Sequence, residues 1–113
     1  MRNLTTLDLS ETGLGDNGCL VLVAALDHAE HLTSLSLAGN GITDRGMKVL
    51  EYVFNSVKKL KTFDFGNNSL TESGCHSMVK AMEKAGLSRL LHVNVVVCVI
   101  TLRVGILLLK LVS

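Results

Sequence analysis

The sequence of this 113-residue chain contains an eleven-residue pattern that returns at regular intervals. The segment LTTLDLSETGL begins at Leu4, LTSLSLAGNGI at Leu32 and LKTFDFGNNSL at Leu60, so successive copies begin 28 residues apart. A more divergent copy, LLHVNVVVCVI, begins at Leu90 after a further 30 residues. Self-similarity at a period of roughly 20 to 50 residues indicates a fold made by stacking equivalent units.

Within each repeat of about 28 residues, the spacing between apolar residues changes from two positions to about four. Leu7 and Leu9 alternate with polar residues, as side chains do along a strand, whereas Leu14, Leu22 and Leu26 recur at the spacing of one helical face. Each unit is therefore predicted to be a strand, a tight turn and a helix. Because one unit cannot cover its own strand leucines, neighbouring units must bury them together.

The ninth position of the pattern is asparagine in two of the four copies. It is Asn40 in the second copy, Asn68 in the third and Cys98 in the fourth, but Thr12 in the first. An asparagine side chain donates and accepts hydrogen bonds, so it is predicted to satisfy backbone groups where the chain leaves the strand. Threonine makes fewer such bonds, and the first turn is therefore expected to be the least firmly held.

Capping signals stand at the predicted helix starts. Thr43 and Thr71 are placed to cap free backbone amides, and Asp44 and Glu72 in the first turns suit the helix dipole. A glycine recurs early in each helix, where a side chain would push neighbouring units apart, at Gly18, Gly46 and Gly74.

These motifs resemble the leucine-rich repeat family, and the period of about 28 residues with a helical second half resembles its ribonuclease-inhibitor-like subclass. Similar arrays occur in NOD-like receptors and in the activating protein of the Ran GTPase. The resemblance implies an α/β solenoid, a horseshoe segment with parallel strands on its concave side and helices on its convex side. A single domain over 1–113 would then hold repeats 4–31, 32–59 and 60–89 and a partial or atypical repeat 90–113.

The apolar tail allows more than one interpretation. Residues 93–112 are about long enough to span a bilayer, but Arg103 near the middle opposes insertion. The same residues also fit the repeat, because ITLRVGILLLKLV resembles ITDRGMKVLEYV with one residue inserted. We favour the repeat, and a membrane segment or a disordered end stays open.

The resemblance implies a non-enzymatic module that binds another protein through its concave strand face. The side chains pointing outward on that face are small and polar, with a weak acidic column through Asp8 and Asp64. Its candidate binding residues are Thr6, Asp8, Ser10, Ser34, Ser36, Thr62, Asp64, His92 and Asn94.

Other function classes receive little support. A net charge of +1 provides no field that attracts nucleic acid. The pair His28 and His31 does not have the HExxH spacing of zinc proteases, so no metal, cofactor or catalytic residue is predicted. Three cysteines without a framework spacing, together with no visible secretory signal, favour reduced thiols in the cytoplasm or the nucleus, and we expect the cytoplasm.

Neither end of the array has the polar cap that solenoids usually carry. The first core strand begins at once, and the last predicted helix is apolar nearly all round. The chain is therefore expected to be a fragment or short form of a longer array, or to associate with itself through its ends.

Overall fold

The computed structural model describes residues 3–87, which form three consecutive strand–helix units. We number these units 1 to 3. The three strands form one parallel sheet in the order β1-β2-β3, and Leu7, Leu35 and Phe63 are in register across it. The elements are β1 (Thr6–Asp8), α1 (Gly15–Ala25), β2 (Ser34–Ser36), α2 (Asp44–Ser56), β3 (Thr62–Asp64) and α3 (Glu72–Lys84).

The core lies between the sheet and the helices. Leu35 and Phe63 are buried on the inner side of their strands, and Phe63 meets Phe54 of α2 edge to face with ring centroids 5.3 Å apart. Leu7, at the corresponding position of unit 1, is only partly buried. This difference follows from the stacking, because in residues 3–87 no unit precedes unit 1.

The observed strand–turn–helix units and their parallel sheet confirm the predicted fold class, an α/β leucine-rich repeat array. The predicted fourth copy, with Cys98 and the apolar residues 93–112, lies outside the described residues. None of the helices within residues 3–87 combines the length and apolar character that a bilayer crossing needs.

The asparagine at the turn joins two units. Asn40 is buried, and its side chain makes six hydrogen bonds. Its Oδ1 accepts from the amides of Thr12 and Leu14 in unit 1, each at 3.0 Å. Its Nδ2 donates to the carbonyl of Leu9 in unit 1 at 2.9 Å and to that of Leu37 in unit 2 at 3.1 Å.

Asn68 repeats this arrangement one unit later. Its Oδ1 accepts from the amides of Asn40 and Ile42, each at 3.0 Å, and its Nδ2 donates to the Leu37 carbonyl at 2.9 Å. Each asparagine therefore supports the turn of the preceding unit as well as its own. We expected the first turn to be weak because Thr12 makes fewer hydrogen bonds than asparagine. That reasoning was wrong, because the amides of this turn are bound by Asn40 of unit 2.

A second polar link joins successive helices. Asp16 in the first turn of α1 accepts from the amide of Thr43 at 2.7 Å, from its hydroxyl at 2.5 Å, and from the amide of Gly46 at 3.1 Å. Asp44 likewise accepts from the amide of Thr71 at 2.9 Å and from its hydroxyl. Each aspartate thus satisfies polar groups at the start of the helix in the following unit.

The predicted caps are right for Thr43 and wrong for Thr71. The Thr43 hydroxyl accepts from the amide of Arg45 at 3.3 Å. The Thr71 hydroxyl makes no capping bond within its own helix. It donates to the Asp44 carboxylate, as the Thr43 hydroxyl does to Asp16.

The pKa of Asp16 is affected by its link to unit 2. Partial burial raises it, but the hydrogen bonds from Thr43 and Gly46 and the charge of Arg45 outweigh this effect, so the pKa lies below its ordinary value. A lowered pKa means that ionised Asp16 stabilises the folded state. This stabilisation is complete above the pKa of Asp16 in the unfolded chain, near 4, and is lost as the pH falls through its lower pKa in the folded chain.

Two glycines allow this close approach of the helices. A Cβ added to Gly46 would lie 2.5 Å from Oδ1 of Asp16, and one added to Gly74 would overlap Oδ1 of Asp44. The predicted role of these two glycines at the unit boundary is confirmed. Gly18 instead faces a side chain of its own unit.

We predict that Asn40→Asp lowers the free energy of unfolding by about 2 to 4 kcal/mol, because a carboxylate cannot donate to the buried carbonyls that Nδ2 satisfies. Chemical denaturation followed by circular dichroism measures the loss. Asn17→Asp, the same change at an exposed position in the first turn of α1, serves as the control. Equal effects of the two substitutions would contradict the role of Asn40.

We predict that Gly46→Ala destabilises the fold by about 1 to 3 kcal/mol, since the new methyl group would overlap Asp16 and force the two helices apart. The matched substitution Asn55→Ala, at an exposed position of α2, should change stability by less than about 0.5 kcal/mol. Thermal melts of both variants would test the claim, and an unchanged melting temperature for Gly46→Ala would refute it.

Candidate interaction surface

Alternation along the three strands places two rows of side chains on the side of the sheet away from the helices. We call this surface the strand face and define it by these rows. Because the strands are parallel and in register, residues of equivalent position lie beside one another. The first row is Thr6, Ser34 and Thr62, and the second is Asp8, Ser36 and Asp64.

The strand face is polar and accessible. The residues on its outer strands, β1 and β3, are exposed, whereas Ser34 and Ser36 on the central strand are half-buried between them. The structure therefore brings together six of the predicted binding residues. A seventh, Ser10, lies two residues beyond β1 and bonds to Asp8. His92 and Asn94 lie outside the described residues.

Both aspartates of the strand face also have a local role. Oδ1 of Asp8 accepts from the amide of Ser10 at 2.9 Å and from its hydroxyl at 2.6 Å, and Oδ1 of Asp64 accepts from the amide of Gly66 at 2.9 Å. The carboxylates thus bind the amide two residues on, where the chain leaves the sheet. We missed this role in the sequence, although the signal is visible as Asp-x-Ser and Asp-x-Gly at equivalent positions.

These bonds shift the pKa of Asp8. The hydroxyl of Ser10 and then its amide stabilise the carboxylate, and together they lower the pKa from its ordinary value despite a small opposing effect of desolvation. Asp8 is consequently ionised over the whole neutral range.

The two carboxylates keep capacity for a partner. Among residues 3–87, every hydrogen bond to Asp8 and Asp64 uses Oδ1, so the second oxygen of each is free to accept from outside. Two strand spacings separate the residues by about 10 Å, with Ser36 between them. A flexible cationic side chain can therefore reach either carboxylate.

Other groups that could carry chemistry do not form a site in the described chain. His28 and His31 are exposed, and Nε2 of His28 lies 3.4 Å from Asp27. Residues 3–87 contain no group of three or more histidine, cysteine or acidic side chains placed to hold a metal. Burial and the nearby charge of Asp16 raise the pKa of the Cys19 thiol to about 11, which makes it a poor nucleophile at neutral pH.

Three lysines, Lys58, Lys59 and Lys61, lie just before β3, and one of them has a structural role. Lys58 donates to the carbonyl of Ala85 at 3.0 Å and so connects the loop between units 2 and 3 to the end of α3. Lys59 and Lys61 are exposed.

A shallow groove of about 260 Å³ lies between α2 and α3. One wall includes Asp44, whose carboxylate is engaged by Thr71, and Gly74 lies opposite. Because the Asp44 carboxylate already has a partner, this groove is a weaker candidate than the strand face.

We predict that Ser10→Ala raises the pKa of Asp8 toward the ordinary aspartate value near 4, because it removes the strongest hydrogen bond to the carboxylate. Carbon-detected NMR titration of the Asp8 side chain measures the shift. Ser34→Ala, on the neighbouring strand but without a bond to Asp8, should leave the titration unchanged. A pKa unaffected by Ser10→Ala would exclude the proposed hydrogen bond.

A family comparison matches two segments, residues 1–23 and 28–50, to a model described as Leucine Rich repeat. The segments fall on units 1 and 2 and together cover less than half of the chain. No curated protein matches the sequence at a significant level.

Among solved structures, the chain is similar to a tropomodulin C-terminal domain from Caenorhabditis elegans, with a TM-score of 0.64 and 16% sequence identity. The match covers 77% of this chain and 51% of that one, so the chain spans about half the length of that domain. At this identity the likeness concerns the fold alone. The chain has a leucine-rich repeat fold, and the matched segments support its assignment to the leucine-rich repeat family.

Proposed function

We propose that the chain is a non-enzymatic protein-interaction module whose strand face, on the concave side of the array, binds another protein. The observation that carries this proposal is the alignment of small polar side chains in two rows across three strands. These side chains are not needed for the core, which is made by the alternate residues of the same strands. Small side chains leave room for a loop or a helix of a partner.

The charges of the strand face favour a cationic partner. Asp8 and Asp64 are ionisable, and none of the six residues that define the face is basic. A partner with lysine or arginine at the contact can bind the free carboxylate oxygens, and neighbouring hydroxyls can add hydrogen bonds. The face contains no aromatic or arginine anchor, which supports modest affinity. The predicted residues His92 and Asn94 would extend the face to a fourth strand.

We place this activity in the cytoplasm. The three cysteines of the sequence have no disulfide-framework spacing, as expected in a reducing compartment. We also propose, as an extension of the array, that residues 90–113 form a further unit of the ribonuclease-inhibitor-like type. The repeats would then be 4–31, 32–59, 60–89 and 90–113 within one domain.

A membrane-tethered form of the same module is the second candidate. It is favoured by one observation, the apolar run 93–112. Arg103 within that run opposes it. Fractionation of cells that express the full chain separates the two candidates, because a tethered form resists extraction from membranes at high pH and a soluble module is released.

We predict that Ser36→Lys abolishes capture of the partner in affinity purification from cell extract. The new ammonium lies between Asp8 and Asp64, so it neutralises the carboxylates that would bind a cationic partner and adds bulk to the centre of the face. The substitution leaves the Oδ1 bonds of both aspartates in place, and we therefore expect a normally folded protein.

Asn55→Lys is the control for this experiment. It introduces the same charge at an exposed position of α2, away from the strand face, and should retain every partner. Circular dichroism of both variants verifies folding. Identical partner lists for the wild type and Ser36→Lys would contradict binding through the strand face.

A further inference from the structure

The groove between α2 and α3 differs in charge from the strand face. We call it the helix groove. It has a volume of about 260 Å³ and lies on the helix side of the fold, away from the strand face. Its lining residues are Asp44, Arg45, Lys48, Ser73, Gly74 and Ser77.

Four side chains of the helix groove are hydrogen-bond donors that the described chain does not use. Within residues 3–87, the guanidinium of Arg45 and the ammonium of Lys48 form no ion pair, although the charge of Arg45 acts on the more distant Asp16. The hydroxyls of Ser73 and Ser77 make no hydrogen bond in the same part of the chain. Ser77 is half-buried and the other three residues are exposed, so a ligand can reach all four.

These donors face one another across the helix groove. Arg45 and Lys48 are three residues apart on α2, and Ser73 and Ser77 are four residues apart on α3, so each pair shares one face of its helix. The two cations and the two hydroxyls therefore converge on the same small volume.

The carboxylate in the helix groove is already engaged. One oxygen of Asp44 accepts from the amide of Thr71, and the other accepts from the hydroxyl of Thr71. Two cations and one engaged carboxylate leave the groove net positive. Both helices begin beside the groove, so the positive ends of their dipoles add to the attraction for an anion.

Stacking of the units does not require the four donors. Asp44 and Gly74, which join units 2 and 3, have the same residue types 28 positions earlier, at Asp16 and Gly46. The four donors do not follow this rule. Their counterparts between α1 and α2 are Asn17, Leu20, Arg45 and Val49. That boundary has one cation and no hydroxyl, so the donor set is an addition to the repeat at the boundary of units 2 and 3.

The size of the helix groove fits one small group. Pockets that enclose a drug-sized ligand have volumes of roughly 300 to 1,000 Å³, and this groove is smaller and open. A phosphate monoester is a small group that carries a charge of about −1.5 to −2 at neutral pH and three strong acceptor oxygens. The planar guanidinium of arginine matches two such oxygens, and ammonium and hydroxyl groups bind the others.

We infer that the helix groove binds a phosphate monoester group. Arg45 and Lys48 neutralise its charge, and the hydroxyls of Ser73 and Ser77 donate to its oxygens. This inference goes beyond the proposed function, because the helix groove and the strand face share no residue. Ser36→Lys should leave phosphate binding unchanged, so the two proposals fail or succeed separately.

NMR titration of the full chain with inorganic phosphate and with phosphoserine tests the inference. Sodium chloride at matched ionic strength is the reference for general screening of charge. We expect saturable changes of chemical shift at the backbone amides of Lys48, Ser73 and Ser77 with both phosphate probes, and none with chloride.

Lys48→Gln should weaken phosphoserine binding by roughly tenfold, because it removes a charge-assisted hydrogen bond. The matched control Lys59→Gln removes the same charge from an exposed lysine in the loop before β3 and should bind like the wild type. Ser77→Val introduces the residue type of the counterpart Val49 and should weaken binding by roughly threefold without a change of charge. Circular dichroism verifies that each variant folds.

Cosedimentation with vesicles of phosphatidylcholine and phosphatidic acid identifies the source of the phosphate group. Sedimentation that Lys48→Gln reduces and Lys59→Gln does not would assign it to a lipid headgroup, whereas phosphoserine binding without such sedimentation would assign it to a soluble ligand. Failure of both phosphate probes to bind saturably would overturn the inference. Equal weakening by Lys48→Gln and Lys59→Gln, or wild-type affinity in folded Lys48→Gln and Ser77→Val, would overturn it as well.

Discussion

The fold depends on hydrogen bonds and apolar contacts that each unit makes with its neighbour. A strand of three residues cannot hide its inward side chain within its own unit. The turn after each strand also depends on a neighbouring unit. Asn40 of unit 2 accepts from two amides in the turn of unit 1, and it donates to carbonyls of both units. Asp16 adds the same kind of dependence at the helix starts. Stability and shape therefore arise at the boundaries between units.

This organisation explains why the strand face is available for binding. The inward residues, the asparagines and the aspartates at the helix starts carry the structure, so the outward residues of the strands are released from packing. The exception is instructive. Asp8 and Asp64 lie on the strand face but also bind amides at the strand exits. Each of these side chains therefore belongs to the candidate binding surface and also supports the fold. Their remaining oxygens, together with the hydroxyls between them, are what a partner can use.

Much of the fold was predictable from the sequence, because period and alternation report directly on strand and helix. The parallel register of Leu7, Leu35 and Phe63 follows from the 28-residue offset. The direction of the polar links was not predictable, since the pattern shows that Asn40 belongs to a turn but not that it serves the preceding one. The bond from Thr71 to Asp44 was missed for the same reason, since a local capping signal does not reveal an acceptor in another unit.

The side-chain amide of Asn40 offers the most direct measurement of this dependence. Its two protons should exchange slowly with solvent and show nuclear Overhauser contacts to residues of both units, including Leu9 and Leu37, whose carbonyls it binds. Slow exchange with contacts on both sides is the predicted result. Exchange at the rate of a solvated amide, or contacts confined to unit 2, would contradict the claim that each unit is completed by the next.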